Sequence, residues 1–275
     1  MGVIIRNPKL SKRLDNLKTV ILAGGFGSRI SEETKYKPKP LIEIGGKPIL
    51  WHIMKGYSHY GFNEFIICAG YKQHLIKSWF ADYYLRNCDI TFDFTNGRED
   101  TIIHDQHCES WKVTVVDTGL NTMTGGRIKR IQRYIGDEPC MMTYGDAVCN
   151  VNLNELYRFH QSHGKIATLT ATMLESSKGF LNIGGDNAVK NFREKNFADS
   201  APINAGYMVL NPEVFDYIDG DDTIFENDSL TRLARDNQLM SYVFKGFWQC
   251  MDTYREKDIL EKLWESNQAP WKVWK

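Results

Sequence analysis

Leu22-Ala23-Gly24-Gly25-Phe26-Gly27-Ser28-Arg29, with Lys37-Pro38-Lys39-Pro40 shortly after it, is the stretch of this chain best suited to chemistry. Glycines let a backbone approach a ligand closely, so that successive N–H groups can aim at phosphate oxygens. Arg29 and Lys39 add fixed positive charge against a polyphosphate. The apolar run Thr19-Val20-Ile21-Leu22 before the glycines predicts a buried strand, and the glycines predict the turn that leaves it. Strand, glycine loop and two cations describe a nucleoside triphosphate site.

The loop is not a Walker loop, because Gly27-Ser28-Arg29 stands where Gly-Lys-Ser/Thr belongs. It is also a poor dinucleotide fingerprint, since Ile30 occupies the third glycine position. The two Lys-Pro pairs push their lysines toward an extended backbone. Lys37 and Lys39 are then expected on one face of an extended segment.

Two aspartates come next. Asp146 follows the apolar stretch Pro139–Tyr144 and Gly145, which in an open α/β sheet places it at the carboxyl edge. Asp252 lies just before Thr253, which with Glu256 forms a capping box for a helix running to about Trp264. The dipole of that helix favours an ionised Asp252. Two carboxylates, phosphate oxygens and water suit a divalent cation such as Mg²⁺. A second glycine turn, Thr124-Gly125-Gly126-Arg127, opens a helix whose arginines, Arg127 and Arg130, lie either at the nucleotide or on a solvated face.

The elements that must position these residues alternate. Helices are expected from Pro48 to Gly61, from Gly70 through Leu85, over Leu153–His160, over Pro212–Ile218 and near Leu230–Asn237. Strands are expected at Glu64–Ala69, Ile90–Phe94, Val113–Val116, Ile166–Met173, Phe180–Ile183, Ala188–Phe192 and Ile203–Leu210. Strand-helix-strand alternation implies parallel pairing with right-handed crossovers. Thr95–Ser110 is expected to be a polar insertion. Its His104-x-x-His107-Cys108 lacks the companion pair a metal cluster needs, which favours a plain loop. His160 and His163 are expected at the surface, and the Trp271–Trp274 tail is expected to pack on the domain or a neighbour, favouring a homo-oligomer.

With 275 residues the chain can form one large α/β domain. Its 34 basic and 34 acidic residues balance, so it has no bulk attraction for nucleic acid or an anionic membrane. Six cysteines are scattered without a C-x-x-C pair, the pattern of reduced thiols in a cytoplasmic protein. No stretch reaches the roughly 18 apolar residues of a membrane span. The first seventeen residues lack a leader pattern and are expected to form an N-terminal arm before a single domain over 18–275.

From about Lys18 to the end, these motifs resemble those of the sugar-1-phosphate nucleotidylyltransferases, and among them the glucose-1-phosphate cytidylyltransferases. The resemblance implies a single Rossmann-like, three-layer αβα domain, with a mixed, mostly parallel central sheet and small β insertions. It implies that Asp146 and Asp252 bind Mg²⁺ and that Arg29 and Lys39 act on the nucleotide phosphates. It assigns Leu22, Ala23, Gly24, Gly25, Gly27, Ser28, Thr124, Gly126, Arg127 and Gly145 to the nucleotide, with CTP favoured over UTP or dTTP on similarity alone. Lys178, Gly179, Glu194, Lys195 and Asn204 fall where the family binds the acceptor. Departures from the family pattern at Lys178–Asn182, Asn196 and Pro202–Ala205 leave the acceptor open between glucose 1-phosphate, a more acidic sugar phosphate and a non-sugar phosphate or phosphonate. A non-catalytic nucleotide-binding regulator is the rival from another class.

Overall fold

The computed structural model describes residues 17–95, 100–104, 108–174, 180–183, 189–193 and 201–275. Seven strands form the central sheet: β1 (Lys18–Ala23), β2 (Glu64–Ala69), β3 (Lys112–Asp117), β4 (Cys140–Tyr144), β5 (Ala167–Leu174), β6 (Ala201–Leu210) and β7 (Leu239–Phe244). Their order is β7-β5-β6-β4-β1-β2-β3. Only β6 runs against its neighbours, so the other six present their carboxyl ends at one edge.

Side-chain alternation explains the layers. Along β1, Val20 and Leu22 face one apolar cluster while Ile21 and Ala23 face another. The first cluster takes Ile128 of α3 (Thr124–Arg130) and Leu233 of α5 (Leu230–Arg235). The second takes Ile53 and Tyr57 of α1 (Ile49–His59), Ile76 of α2 (Gln73–Ala81), Leu156 of α4 (Leu153–His163) and Leu260 of α6 (Tyr254–Glu265). Strands buried on both faces read as continuous apolar runs, as β1 and β2 do.

The chain order sets a switch point. From β1 the chain moves outward to β2 and β3, then returns to the other side of β1 as β4. The loops after β1 and β4 therefore part, and ligands bind where such loops part in open α/β sheets.

Several sequence expectations need correction. Asp100–His104, inside the expected polar insertion, is a strand paired with Asp89–Asp93. The helix expected through Leu85 is two helices, Gln73–Ala81 and Tyr83–Asn87. His160 is buried, with Nδ1 on Thr168 Oγ1 (2.8 Å) and Nε2 on Asn211 Oδ1 (3.1 Å), and His163 is half-buried. The Trp271–Trp274 tail does pack on the domain, with Trp271 against Phe247 and Trp264. No helix among the described residues is long and apolar enough to cross a membrane. The expected N-terminal arm lies outside the described residues except for Leu17, which is buried in the core.

Candidate active site

A cleft of about 500 Å³ opens at the switch point. Its floor is the end of β1 and the glycine loop, Leu22 to Arg29, with Gly145 and Asp146 beside it. Gly145 N donates to Leu22 O (2.9 Å), which pins the two loops together at their bases. Gly27 has φ +64°, a left-handed conformation that favours glycine, and it launches a short 3-10 turn over Ser28–Ile30. Thr34 Oγ1 donates to Gly27 O (3.1 Å) and holds that turn closed. The amides of Gly25, Phe26 and Gly27 have no hydrogen-bond partner among the described residues, and all three residues line the cleft. Free amides of this kind form an anion-binding concavity.

The charged groups converge beside that loop. Lys39 Nζ lies 2.7 Å from Asp146 Oδ2 and 2.5 Å from Asp252 Oδ1, and Arg29 reaches Asp252 Oδ2 at 2.8 Å. Lys39 and Asp252 are 213 residues apart in sequence, so a specific local device must bring them together. That device is a two-stranded ladder outside the main sheet, in which Ala147–Cys149 pairs with Trp248–Cys250. Ala147 faces Cys250, and Met251 N donates to Asp146 O (2.8 Å), which sets the two aspartates side by side. Thr253 then caps α6, and Glu256 Oε2 accepts from the amides of both Asp252 and Thr253 (2.8 Å each).

Electrostatics follow from that packing. Burial opposes the charge on Lys39, yet Asp146 and Asp252 hold its pKa above the ordinary lysine value. Burial opposes ionisation of Asp252 as well, but the Lys39 hydrogen bond and the Lys39 and Arg29 charges keep it below the usual carboxylate range. Both carboxylates already converge on one cationic atom, and their hard oxygen donors suit a divalent metal ion. The nearby grouping of Cys250, Asp252 and Glu256 suits one less well. Glu256 is engaged in the cap, and burial with the Glu256 and Asp252 charges pushes the Cys250 thiol up to about 12.

Of the predicted nucleotide residues, Leu22, Ala23, Gly24, Gly25, Gly27, Ser28, Thr124, Arg127 and Gly145 line the cleft with Arg29, Lys39, Asp146 and Asp252. Gly126 does not. A Cβ there would lie 2.5 Å from Asp221 Cα, so its hydrogen serves the packing of α3 on the 220–224 loop. Arg127 is buried rather than solvated, and donates to Thr118 Oγ1 (2.8 Å), Gly119 O (2.7 Å) and Leu120 O (3.1 Å). Its guanidinium also packs against Gly24, where a Cβ would lie 2.2 Å from Arg127 Nη1. Arg130 is exposed and pairs with Asp221. Lys37 turns away from Lys39 and pairs with Glu43 (3.1 Å), because a 3-10 turn over Lys39–Leu41 breaks the extended alternation. Asn204 is exposed, accepts from Gly206 N (2.8 Å) and lies outside the cleft lining. Lys178, Gly179, Glu194 and Lys195 lie outside the described residues. The sequence reading missed Tyr144 and Phe26, which line the cleft. Phe26 stands inside the glycine loop, whose pattern could have marked it, whereas Tyr144 ends an apolar strand like any core aromatic.

Residues 18–265 match the family model described as nucleotidyl transferase. The chain belongs to the nucleotidyl transferase family. It is 51% identical to a glucose-1-phosphate cytidylyltransferase of Salmonella typhimurium over 94% of this chain and the whole of that relative. A probable glucose-1-phosphate cytidylyltransferase of Bacillus subtilis is 45% identical over the same shares. The crystal structure of HddC from Yersinia pseudotuberculosis has the same fold, with a TM-score of 0.65 at 21% identity, covering 90% of this chain and 99% of that one. As a nucleotidyl transferase this chain is an enzyme, and the cleft at its sheet edge is where the family's chemistry is to be sought.

Proposed function

We propose that this nucleotidyl transferase moves a cytidylyl group from CTP to glucose 1-phosphate, releasing pyrophosphate and forming CDP-glucose. The observation that carries the reading is the convergence of Lys39, Arg29, Asp146 and Asp252 beside the free glycine-loop amides. The high identity to cytidylyltransferases along the whole of their length supports the choice of nucleotide and acceptor.

In this reading a phosphate oxygen of the acceptor attacks the α-phosphorus of CTP, and the bond to the pyrophosphate oxygen breaks in line. The nucleophile is already an anion, so no general base is required and catalysis rests on positioning and charge neutralisation. The amides of Gly25 to Gly27 hold triphosphate oxygens. Arg29 offsets charge on the departing pyrophosphate, and Lys39 exchanges its carboxylate partners for phosphate oxygens. Asp146 and Asp252 would hold Mg²⁺, which would supply neutralisation of phosphate charge. Lys178, Gly179, Glu194, Lys195 and Asn204 are assigned to the acceptor.

Pyrophosphate release from CTP, UTP and dTTP with a panel of phosphorylated acceptors tests this. The expected result is fastest turnover with CTP and glucose 1-phosphate, abolished by EDTA and restored by Mg²⁺. No release from any pair sinks the enzymatic reading. Faster turnover with an acidic sugar phosphate or a phosphonate would replace the acceptor and leave the nucleotide half standing.

A further inference from the structure

Glu226 stands outside every motif that the sequence reading picked out. It sits in the first turn of a π-helical segment, Phe225–Ser229, that runs into α5. Such turns are rare and concentrate at functional sites. Its carboxylate joins two walls of the cleft. Oε2 accepts from Thr124 Oγ1 (2.6 Å), and Oε1 accepts from the Tyr144 hydroxyl. The preceding residue's amide, Phe225 N on the same turn, donates to Thr124 Oγ1 (2.9 Å), so the threonine is held from both sides.

Thr124 and Tyr144 both line the cleft, and Glu226 lies behind them. Thr124 opens α3, the helix that carries Arg127 and follows the lining loop 120–123. Tyr144 ends β4, two residues before Asp146. The Tyr144 ring rests on Gly206, which has φ +80° and where a Cβ would meet Tyr144 Cδ2 at 2.5 Å. Gly206 lies two residues beyond Asn204 on β6. One carboxylate thus ties the start of α3 to the end of β4, two residues before Asp146. A carboxylate suits the task, because each of its two oxygens accepts from one hydroxyl.

We propose that Glu226 is a positioning residue for nucleotidyl transfer: it fixes the spacing between the Thr124 and Tyr144 walls so that the α-phosphorus and the acceptor oxygen meet in line. The inference rests on the function proposed above.

Steady-state kinetics with CTP, Mg²⁺ and glucose 1-phosphate test it on Glu226→Leu, Glu226→Gln, Tyr144→Phe and the double variants. Misplacing reacting groups by about an ångström costs on the order of a hundredfold in rate. Glu226→Leu is therefore expected to lower kcat by about 30- to 100-fold while KM for CTP moves by less than about threefold. Tyr144→Phe in the Glu226→Leu background is expected to cost nothing more, because the link is already gone. Glu226→Gln, whose amide still bonds both hydroxyls, is expected to recover most of kcat. Should Glu226→Leu fail to fold, Tyr144→Phe and Glu226→Gln, singly and combined, carry the same comparison. For Glu226→Leu, or for Tyr144→Phe where that variant does not fold, a kcat within twofold of wild type, a loss confined to KM, or a fall in kcat that only follows the folded fraction overturns the inference alone. No turnover by the wild-type chain overturns the proposed function and this inference with it.

Discussion

Lys39 and His52 are both buried ionisable groups, and the molecule treats them in opposite ways. Lys39 keeps its charge because Asp146 and Asp252 sit on it. His52 gives up its charge: burial lowers its pKa to about 4, and the neutral ring is held by fixed neutral partners. His52 Nε2 donates to Ile44 O (2.8 Å), and Nδ1 faces the Trp271 indole N–H at 3.4 Å. Trp264 meets the same imidazole edge-on, with ring centroids 4.6 Å apart. The His52 partners are backbone and core that nothing arriving from solution can claim. The Lys39 partners are carboxylates at the mouth of a cleft, and a polyphosphate with its metal ion can compete for all of them. A buried charge whose partners are exchangeable belongs to function, and a buried neutral ring whose partners are permanent belongs to stability.

The contrast breaks most sharply at Lys39. Lys39→Met keeps the length of the side chain and removes its charge. We expect kcat to fall by about a thousandfold, near 4 kcal/mol, as for the loss of one well-placed oxyanion donor. Urea unfolding at neutral pH should show a much smaller loss, because Arg29 remains on Asp252 and both carboxylates reach solvent. A variant that loses several kcal/mol of stability and little activity would place Lys39 in the same class as His52.

At His52 the prediction concerns pH. Its folded pKa of about 4 lies below its unfolded value, so between the two the unfolded chain binds the extra proton. Stability is therefore complete above about pH 6.5 and falls as pH drops toward 4, by about 3 kcal/mol for this one ring. His160, also lowered by burial, adds a loss of the same sign. Urea midpoints of the wild type and of His52→Asn between pH 7 and pH 4 check this. A wild-type curve as flat as that of the variant would mean that His52 is protonated in the folded chain.

These two sites were not equally legible from the residue string. The glycine loop and Lys39 could be read because their signal is local: an apolar strand, glycines at a turn and cations within a few residues. Five of the six parallel strands were legible for the same reason, as short apolar runs, whereas β7 (Leu239–Phe244), an edge strand whose side chains stay partly or fully exposed, was not expected. Asp146 and Asp252 were each readable as a loop carboxylate, but no local feature announces the register of Ala147 opposite Cys250 that pairs them, so their partnership came from resemblance. His160 was misjudged because its partners, Thr168 and Asn211, arrive through the fold. Asp100–His104 was missed because its exposed side chains leave no apolar pattern, only backbone pairing with Asp89–Asp93. Glu226 was invisible for a further reason: a glutamate beside a phenylalanine is ordinary, and only the convergence of Thr124 and Tyr144 on it gives it a role.

Helix α6 joins the two regions, which allows their independence to be tested. It begins at Asp252 and Thr253, and near its far end Glu261 accepts from Gly45 N (2.8 Å) and Trp264 packs on His52. Thr253 Oγ1 accepts from Glu256 N (3.3 Å), so Thr253→Ala deletes one half of the capping box. Loss of such a cap costs about 1 kcal/mol. Glu256 would still accept from the Asp252 amide, so Asp252 should stay in place. We therefore expect Thr253→Ala to lower stability in urea by about 1 kcal/mol and to leave kcat within about threefold of wild type. If kcat instead drops with the cap, the placement of Asp252 depends on the first turn of α6. The separation between a functional and a structural cluster would then fail at the helix they share.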